Sequence, residues 1–189
     1  ESSGVFARRF DAAGVPRGPS SRVNGDPIWN QIFARLDADA LGRFVVTWTS
    51  YPADIPPVRG NATRVLGSRI DARGAMTEFY VDQTGSLFTS DVGCGALGNC
   101  LFVASGTPST NYDVFGRRFE KTLVAGGDIF PINTYLPGHQ REPLVDAGRA
   151  VVVNPVADLR SGRMNRGVGV IAVGATAGVA VAILVVLVH

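Results

Sequence analysis

The chain has 189 residues, 46% of them hydrophobic and 18% charged, which is enough for one domain with a sizeable core and too apolar for a disordered segment. Eighteen Lys plus Arg against sixteen Asp plus Glu leave a formal charge of +2. That balance, with no basic stripe interleaved with aromatics, excludes a nucleic-acid footprint, and the near absence of lysine (Lys121 alone) fits a GC-rich coding sequence better than a selected arginine chemistry.

The first predicted element is "VFARRFDAAG" at 5–14, and it is written twice more, as "VLGSRIDARG" at 65–74 and "VFGRRFEKTL" at 114–123. Copies therefore start at Val5, Val65 and Val114, with periods of 60 and 49 residues. In the first copy Val5, Ala7 and Arg9 alternate with Phe6, Arg8 and Phe10, the pattern of a half-buried strand. Gly14-Val15-Pro16-Arg17-Gly18 then predicts a turn. Arg8-Arg9 and Arg117-Arg118 occupy equivalent places, with Arg69 in the middle copy. Their stems are expected to cover apolar surface and their heads to pair with Asp11, Asp71 and Glu120; a guanidinium ring for an acidic partner is the rival reading.

A second phrase follows each copy: "SRVNGDPIWNQ", "EFYVDQTG" and "IFPINTYLPGHQ". Asn24 and Gln31 are seven apart in the first, as are Asn133 and Gln140 in the last. A third phrase, "LGRFVVTWTS" at 41–50, "LGNCLFVASG" at 97–106 and "AGRAVVVNPV" at 147–156, is rich in β-formers and predicts the most buried strand of each copy. About four short strands per repeat of roughly 50 residues is the dimension of a propeller blade. One such sheet cannot bury its own faces, so stacking of copies must supply the core.

These phrases resemble a tandem repeat of large secreted or surface proteins of bacteria, generally taken to be β-propeller-like; the matches are "RRFDAAGVPRG", "VNGDPIWNQ", "LDADALGRFVVTWTS", "GRRFE", "PINTYLPGHQREP" and "AGRAVVVNP". The resemblance covers about residues 4–155 and implies a partial or assembled propeller. Closed propellers have about four to eight blades, more than this chain supplies. A fragment of a longer protein, a ring closed by a homo-oligomer, or an open stack are the alternatives.

"LDADALGRF" places Asp37 and Asp39 before Gly42. An EF-hand fails because Trp48 stands where its bidentate glutamate belongs. The stretch resembles the aspartate turn between outer strands of sialidase-like blades, which implies carboxylates holding a hairpin through backbone N–H groups. Cys94 and Cys100, the two cysteines, bracket "GALGN". In adjacent strands they would face each other as a hairpin disulfide, pointing to an oxidising compartment; two small unpaired core residues are the alternative. His139 lies in the polar "PGHQREP" and completes no constellation, and Asn61-Ala62-Thr63 is an N-x-T sequon that matters only in a glycosylating pathway. No catalytic set, metal-ligand set or cofactor motif is present, so neither an enzyme nor a cofactor is expected.

The run 167–188 carries no charge, amide or proline. Its 22 residues would span roughly 33 Å as a helix. A transmembrane helix over 167–189 is therefore expected, with Gly174 and Gly178 as a G-x-x-x-G helix-packing pair, and a basic linker over 159–166 behind a repeat domain at 1–158. Taken together, the sequence predicts a membrane-tethered repeat protein outside the cytoplasm, binding a glycan or protein through loops at 51–64 and 105–113. The alternatives are a fragment of a propeller-type hydrolase and a tail-anchored cytoplasmic adaptor.

Overall fold

β-branched and aromatic residues fill the recurring phrases, and each phrase supplies a strand. The computed structural model describes residues 3–27, 30–51, 63–82, 87–106, 112–133, 138–146, 150–156, 167–173 and 181–187, and over these the chain is all-β. Strands β1 (Phe6–Ala7) and β2 (Ser21–Arg22) make a two-stranded half-sheet. Strands β3 (Asn30–Ala38), β4 (Phe44–Tyr51), β5 (Arg64–Ile70) and β6 (Met76–Asp82) form an antiparallel meander, and β7 (Leu87–Cys94), β8 (Cys100–Gly106), β9 (Asp113–Phe119) and β10 (Phe130–Pro131) form a second. The last sheet joins β11 (His139–Asp146) and β12 (Ala150–Val156) to β13 (Gly167–Val173) and β14 (Val181–Leu187) in the order β11-β12-β14-β13.

The repeated phrase and the sheet are out of phase. Each copy starting at Val5, Val65 or Val114 is a third strand with its hairpin into the fourth, so β1 and β2 play the parts of β5 and β6. Each complete sheet opens instead on a first strand, β3, β7 or β11, and each of these carries a register shift against its neighbour: between Ile32 and Arg35, Phe88 and Ser90, and Arg141 and Leu144.

Sheets stack in chain order, because β4 is buried on both faces. Val46 and Trp48 pack with Leu66 and Ile70 against Val5 and Val23 of the half-sheet segment. Val45 points the other way, joining Val65 and Val81 against Val92, Phe102 and Phe119 of the next sheet. Phe79, Phe102 and Phe119 meet there with ring centroids 4.8–5.5 Å apart. Each such apolar side chain contributes about 2 kcal/mol. The first strands lie against one another, β3 on β7 and β7 on β11. Small antiparallel sheets stacked in sequence are thus present, and no closed ring is formed among the described residues.

The expected membrane helix is not formed. Residues 167–173 and 181–187 are strands paired antiparallel, with β14 running parallel to β12, and among the described residues no helix is long and apolar enough to cross a membrane. Length and hydropathy alone favoured a helix, but valine and isoleucine dominate two runs of seven residues on either side of Gly174 and Gly178, and the open edge of β12 is available to pair. Gly174 and Gly178 and the 159–166 linker lie outside the described residues.

Candidate functional site

Alternating hairpins give the stack two unlike ends. At one end lie, among the described residues, five tight turns of a single design, 11–15, 39–43, 71–75, 95–99 and 120–124, each closed by backbone hydrogen bonds of 2.8–3.1 Å. The fourth residue of each is left-handed: Gly14, Gly42, Gly74, Gly98 and Leu123. Asp11, Asp39 and Asp71 open three of them, and in each the Oδ1 accepts N–H groups from the residues two and four further on, at 2.8–3.1 Å. Burial pushes the Asp39 carboxyl up, but the Arg43 and Leu41 amides and the Arg43 guanidinium, whose Nε lies 2.6 Å from Oδ2, outweigh it and hold the group below its usual range. The Ala75 amide does the same for Asp71.

Asp37, expected beside Asp39 in this turn, lies in β3 with a different task. Its Oδ2 accepts the Cys94 N–H at 2.7 Å, joining one sheet to the next. Asp91 in β7 repeats the device on Val145 of β11 at 2.8 Å. Burial raises the Asp91 carboxyl, and the nearby charge of Asp37 adds to this, against the amides of Val145 and Val92 and the charge of Arg35. Cys94 and Cys100 face each other across β7 and β8 and form a buried disulfide. It brackets the turn that begins with Gly95, where no carboxylate is available to pin the hairpin.

The arginines correct a second expectation. Arg9 donates to the Ala72 carbonyl at 2.7 Å, and Arg69, its equivalent, donates to that of Lys121. Both acceptors are second residues of the next sheet's tight turn, so these heads join sheets and do not pair with Asp11 or Asp71. Arg117 likewise donates to the Val81 carbonyl at 2.7 Å, with its guanidinium over Phe119.

The opposite end carries the connections between sheets, the feet of the loops at 52–62 and 107–111, and a cleft. Its frame is the Asn…Gln spacing. Asn24 Oδ1 accepts the Val5 N–H at 2.8 Å and Asn133 Oδ1 the Val114 N–H at 2.7 Å, while the Gln31 and Gln140 N–H groups donate to Ser3 and Tyr112. All four side chains are buried, and Asp82 occupies the same place in the middle copy. These residues are therefore scaffold.

Between the half-sheet and the first full sheet this frame bounds a small cleft of about 40 Å³, room for a few waters. Trp48, Ser50, Arg64, Leu66, Glu78 and Tyr80 line it from the sheet, facing Asn24, Asp26 and Gln31. Trp48 is wholly buried, and its indole N–H has no hydrogen-bond partner. Glu78 Oε2 accepts the Gly25 N–H at 2.8 Å, tying the cleft wall to the inter-sheet connection. At the seam between the β7–β10 sheet and β11, Phe88, Tyr112 and His139 meet edge to face, with the Arg141 guanidinium 3.7 Å over the Tyr112 ring and His139 Nδ1 accepting the Tyr112 N–H at 3.2 Å.

Sequence reasoning placed recognition in the loops 51–64 and 105–113, whose interiors lie outside the described residues. It missed the cleft at the foot of the first. Copy-by-copy comparison would have found it, since Trp48, Glu78 and Tyr80 stand where the next sheet has Ala104, Ile129 and Pro131. Among the described residues no group of three or more His, Cys, Asp or Glu is placed to hold a metal ion. Compared with models of protein families and with curated proteins, the chain matches none.

Proposed function

We propose that this chain is a non-enzymatic binding protein of an oxidising compartment, a propeller-like stack that presents its long-connection end to a glycan or protein. The observation that carries this is the asymmetry of the two ends. One is sealed by tight turns whose polar groups are spent on one another and on the neighbouring sheet. The other combines long connections with a polar cleft, and recognition on a repeated scaffold usually resides in such segments. The buried Cys94–Cys100 disulfide supports the compartment, since such bonds persist outside the reducing cytoplasm. No helical tether enters this reading, because its segment forms β13 and β14.

The test is binding of the purified chain to a panel of immobilised polysaccharides and surface-protein ectodomains. Replacing 52–62 by a short Gly-Asn connection is expected to reduce binding at least tenfold with the disulfide and β-sheet circular dichroism retained, whereas Arg9→Ala at the opposite end leaves binding within about twofold. Equal loss in both variants would overturn the assignment of the binding end. Release of reducing sugar from a panel member, abolished by Glu78→Gln, would replace it with the hydrolase reading.

A further inference from the structure

In each copy the second, fourth and sixth residues of the repeated phrase share the side of the third strand that looks back along the stack. In the middle copy these are Leu66, Ser68 and Ile70, all buried, and the side rests on Val5 and Val23 of the half-sheet. In the last copy they are Phe115, Arg117 and Phe119. Phe119 is 4% exposed and lies with Val45, Val65 and Val81 of the preceding sheet, while Arg117 donates to the Val81 carbonyl at 2.7 Å. In the first copy the same places hold Phe6, Arg8 and Phe10. Val5 and Ala7 point toward the β3–β6 sheet, so this side faces away from it, and Phe6 and Phe10 are 60% and 54% exposed. Arg8 makes no bond across a seam. It lies over the Phe10 ring and donates to the Gly18 carbonyl of its own hairpin at 3.0 Å. A face that is core in two copies is thus open in the third, and adjacent exposed rings of this kind mark an interaction surface.

We infer that the Phe6, Arg8 and Phe10 face docks a second copy of this chain, which covers it with its last sheet as each sheet inside the chain covers the next. The two equivalent faces fix the chemistry of the occupant, since both are covered by valines on the forward side of a sheet of this same repeat. The last sheet offers such a surface. Its outer strands β13 and β14 read GVGVIAV and VAILVVL, without a charge, and among the described residues they lie extensively against only each other and β12. A valine-rich sheet removes both rings from water, and its backbone carbonyls accept from Arg8 as the Val81 carbonyl accepts from Arg117. A small anion would meet the Arg8 and Arg22 guanidinium groups and leave both rings wet. The two surfaces joined are unlike, so the contact is heterologous and the assembly either closes into a ring or grows end to end. This face lies on the stacking axis, apart from the long-connection end, so the inference and the function proposed above fail independently.

Light scattering on the purified chain, from about 1 to about 300 µM, tests whether copies associate. Species heavier than one chain are expected, with a dissociation constant of about 10 µM, the range of a small interface. Phe10→Asp is expected to weaken association about tenfold or more, and Phe6→Ser, a milder change at the second ring, about threefold or more. Leu97→Asp, at an exposed turn tip, is expected to leave it within about twofold. Both phenylalanines are exposed in the single chain, so the disulfide and the β-sheet circular dichroism are expected to persist in their variants. Photo-crosslinking identifies the occupant. The chain carrying p-benzoylphenylalanine in place of Phe10 is prepared in ¹⁴N and ¹⁵N forms, mixed and irradiated. Trypsin leaves residues 150–160 and 167–189 as single peptides, holding β12 and β13 with β14. The expected adduct joins the peptide with position 10 to one of these two, with opposite isotope labels on the two halves. A chain that stays single throughout the range, or association unchanged in Phe10→Asp, overturns the inference. An adduct whose halves always share a label, or one to the partner's own half-sheet, overturns it as well.

Discussion

At position 123 a leucine holds the left-handed backbone that glycine holds in four sister turns, with φ of 65°. A side chain there costs about 1–2 kcal/mol through the clash of Cβ with the following carbonyl. The same turn opens with Glu120 in place of aspartate, and its closing bonds are backbone ones alone, Glu120 N–H to Val124 and Leu123 N–H to Glu120. Leu123→Gly is therefore expected to raise stability by about 1 kcal/mol, part of the relieved strain being offset by the entropy of glycine in the unfolded chain. A urea titration measures it as a higher midpoint at unchanged slope. A lower midpoint would mean that packing of the leucine outweighs its strain.

Within the sheets, close pairing of a glycine with an aromatic ring recurs as a unit. A Cβ on Gly67 would lie 2.5 Å from the Phe79 ring, and one on Gly116 would lie 2.8 Å from that of Phe130. In the half-sheet the same position is Ala7, and the residue opposite is Ser21. The third and fourth strands thus interlock in two alternative ways, glycine under phenylalanine or alanine beside serine. Gly116→Ala alone is expected to cost about 1–3 kcal/mol by overpacking. Adding Phe130→Ser should recover part of that, so that the double variant is more stable than the summed single changes predict by about 1 kcal/mol. Strict additivity in denaturant unfolding would contradict the interlock.

For the molecule as a whole, stability depends on how one sheet grips the next, and part of that grip is a desolvated carboxylate. Asp91 accepts the Val145 N–H across the seam, and burial raises its carboxyl above the ordinary value of 3.8. A raised acid binds its proton more tightly folded than unfolded, so it removes stability as pH rises from the unfolded value through the folded one. Asp91→Asn, which keeps an acceptor oxygen and loses the charge, is expected to flatten the stability profile from about pH 4 upward and to leave the protein at least as stable at pH 7. Thermal unfolding of the two forms across pH 3.5–7 makes the comparison; parallel profiles would assign the pH dependence to other groups.

Three copies of one phrase, alternation of apolar residues and the Cys94–Cys100 spacing were enough to read small antiparallel sheets, their stacking and a bracketed hairpin, because strand periodicity and turn chemistry are local properties. The Asn24–Gln31 and Asn133–Gln140 spacing was visible as well, though its work of closing each seam required the coordinates. The tail was misjudged for a physical reason: an apolar run satisfies its backbone either within a helix or along a strand edge, and only the presence of β12 as a neighbour decides between them. Tertiary structure alone also decided the arginine heads and the cleft. Arg9 and Ala72 lie 63 residues apart, and the Gly25 N–H meets Glu78 across a seam between sheets, so their juxtaposition follows from stacking and has no signature in either strand by itself.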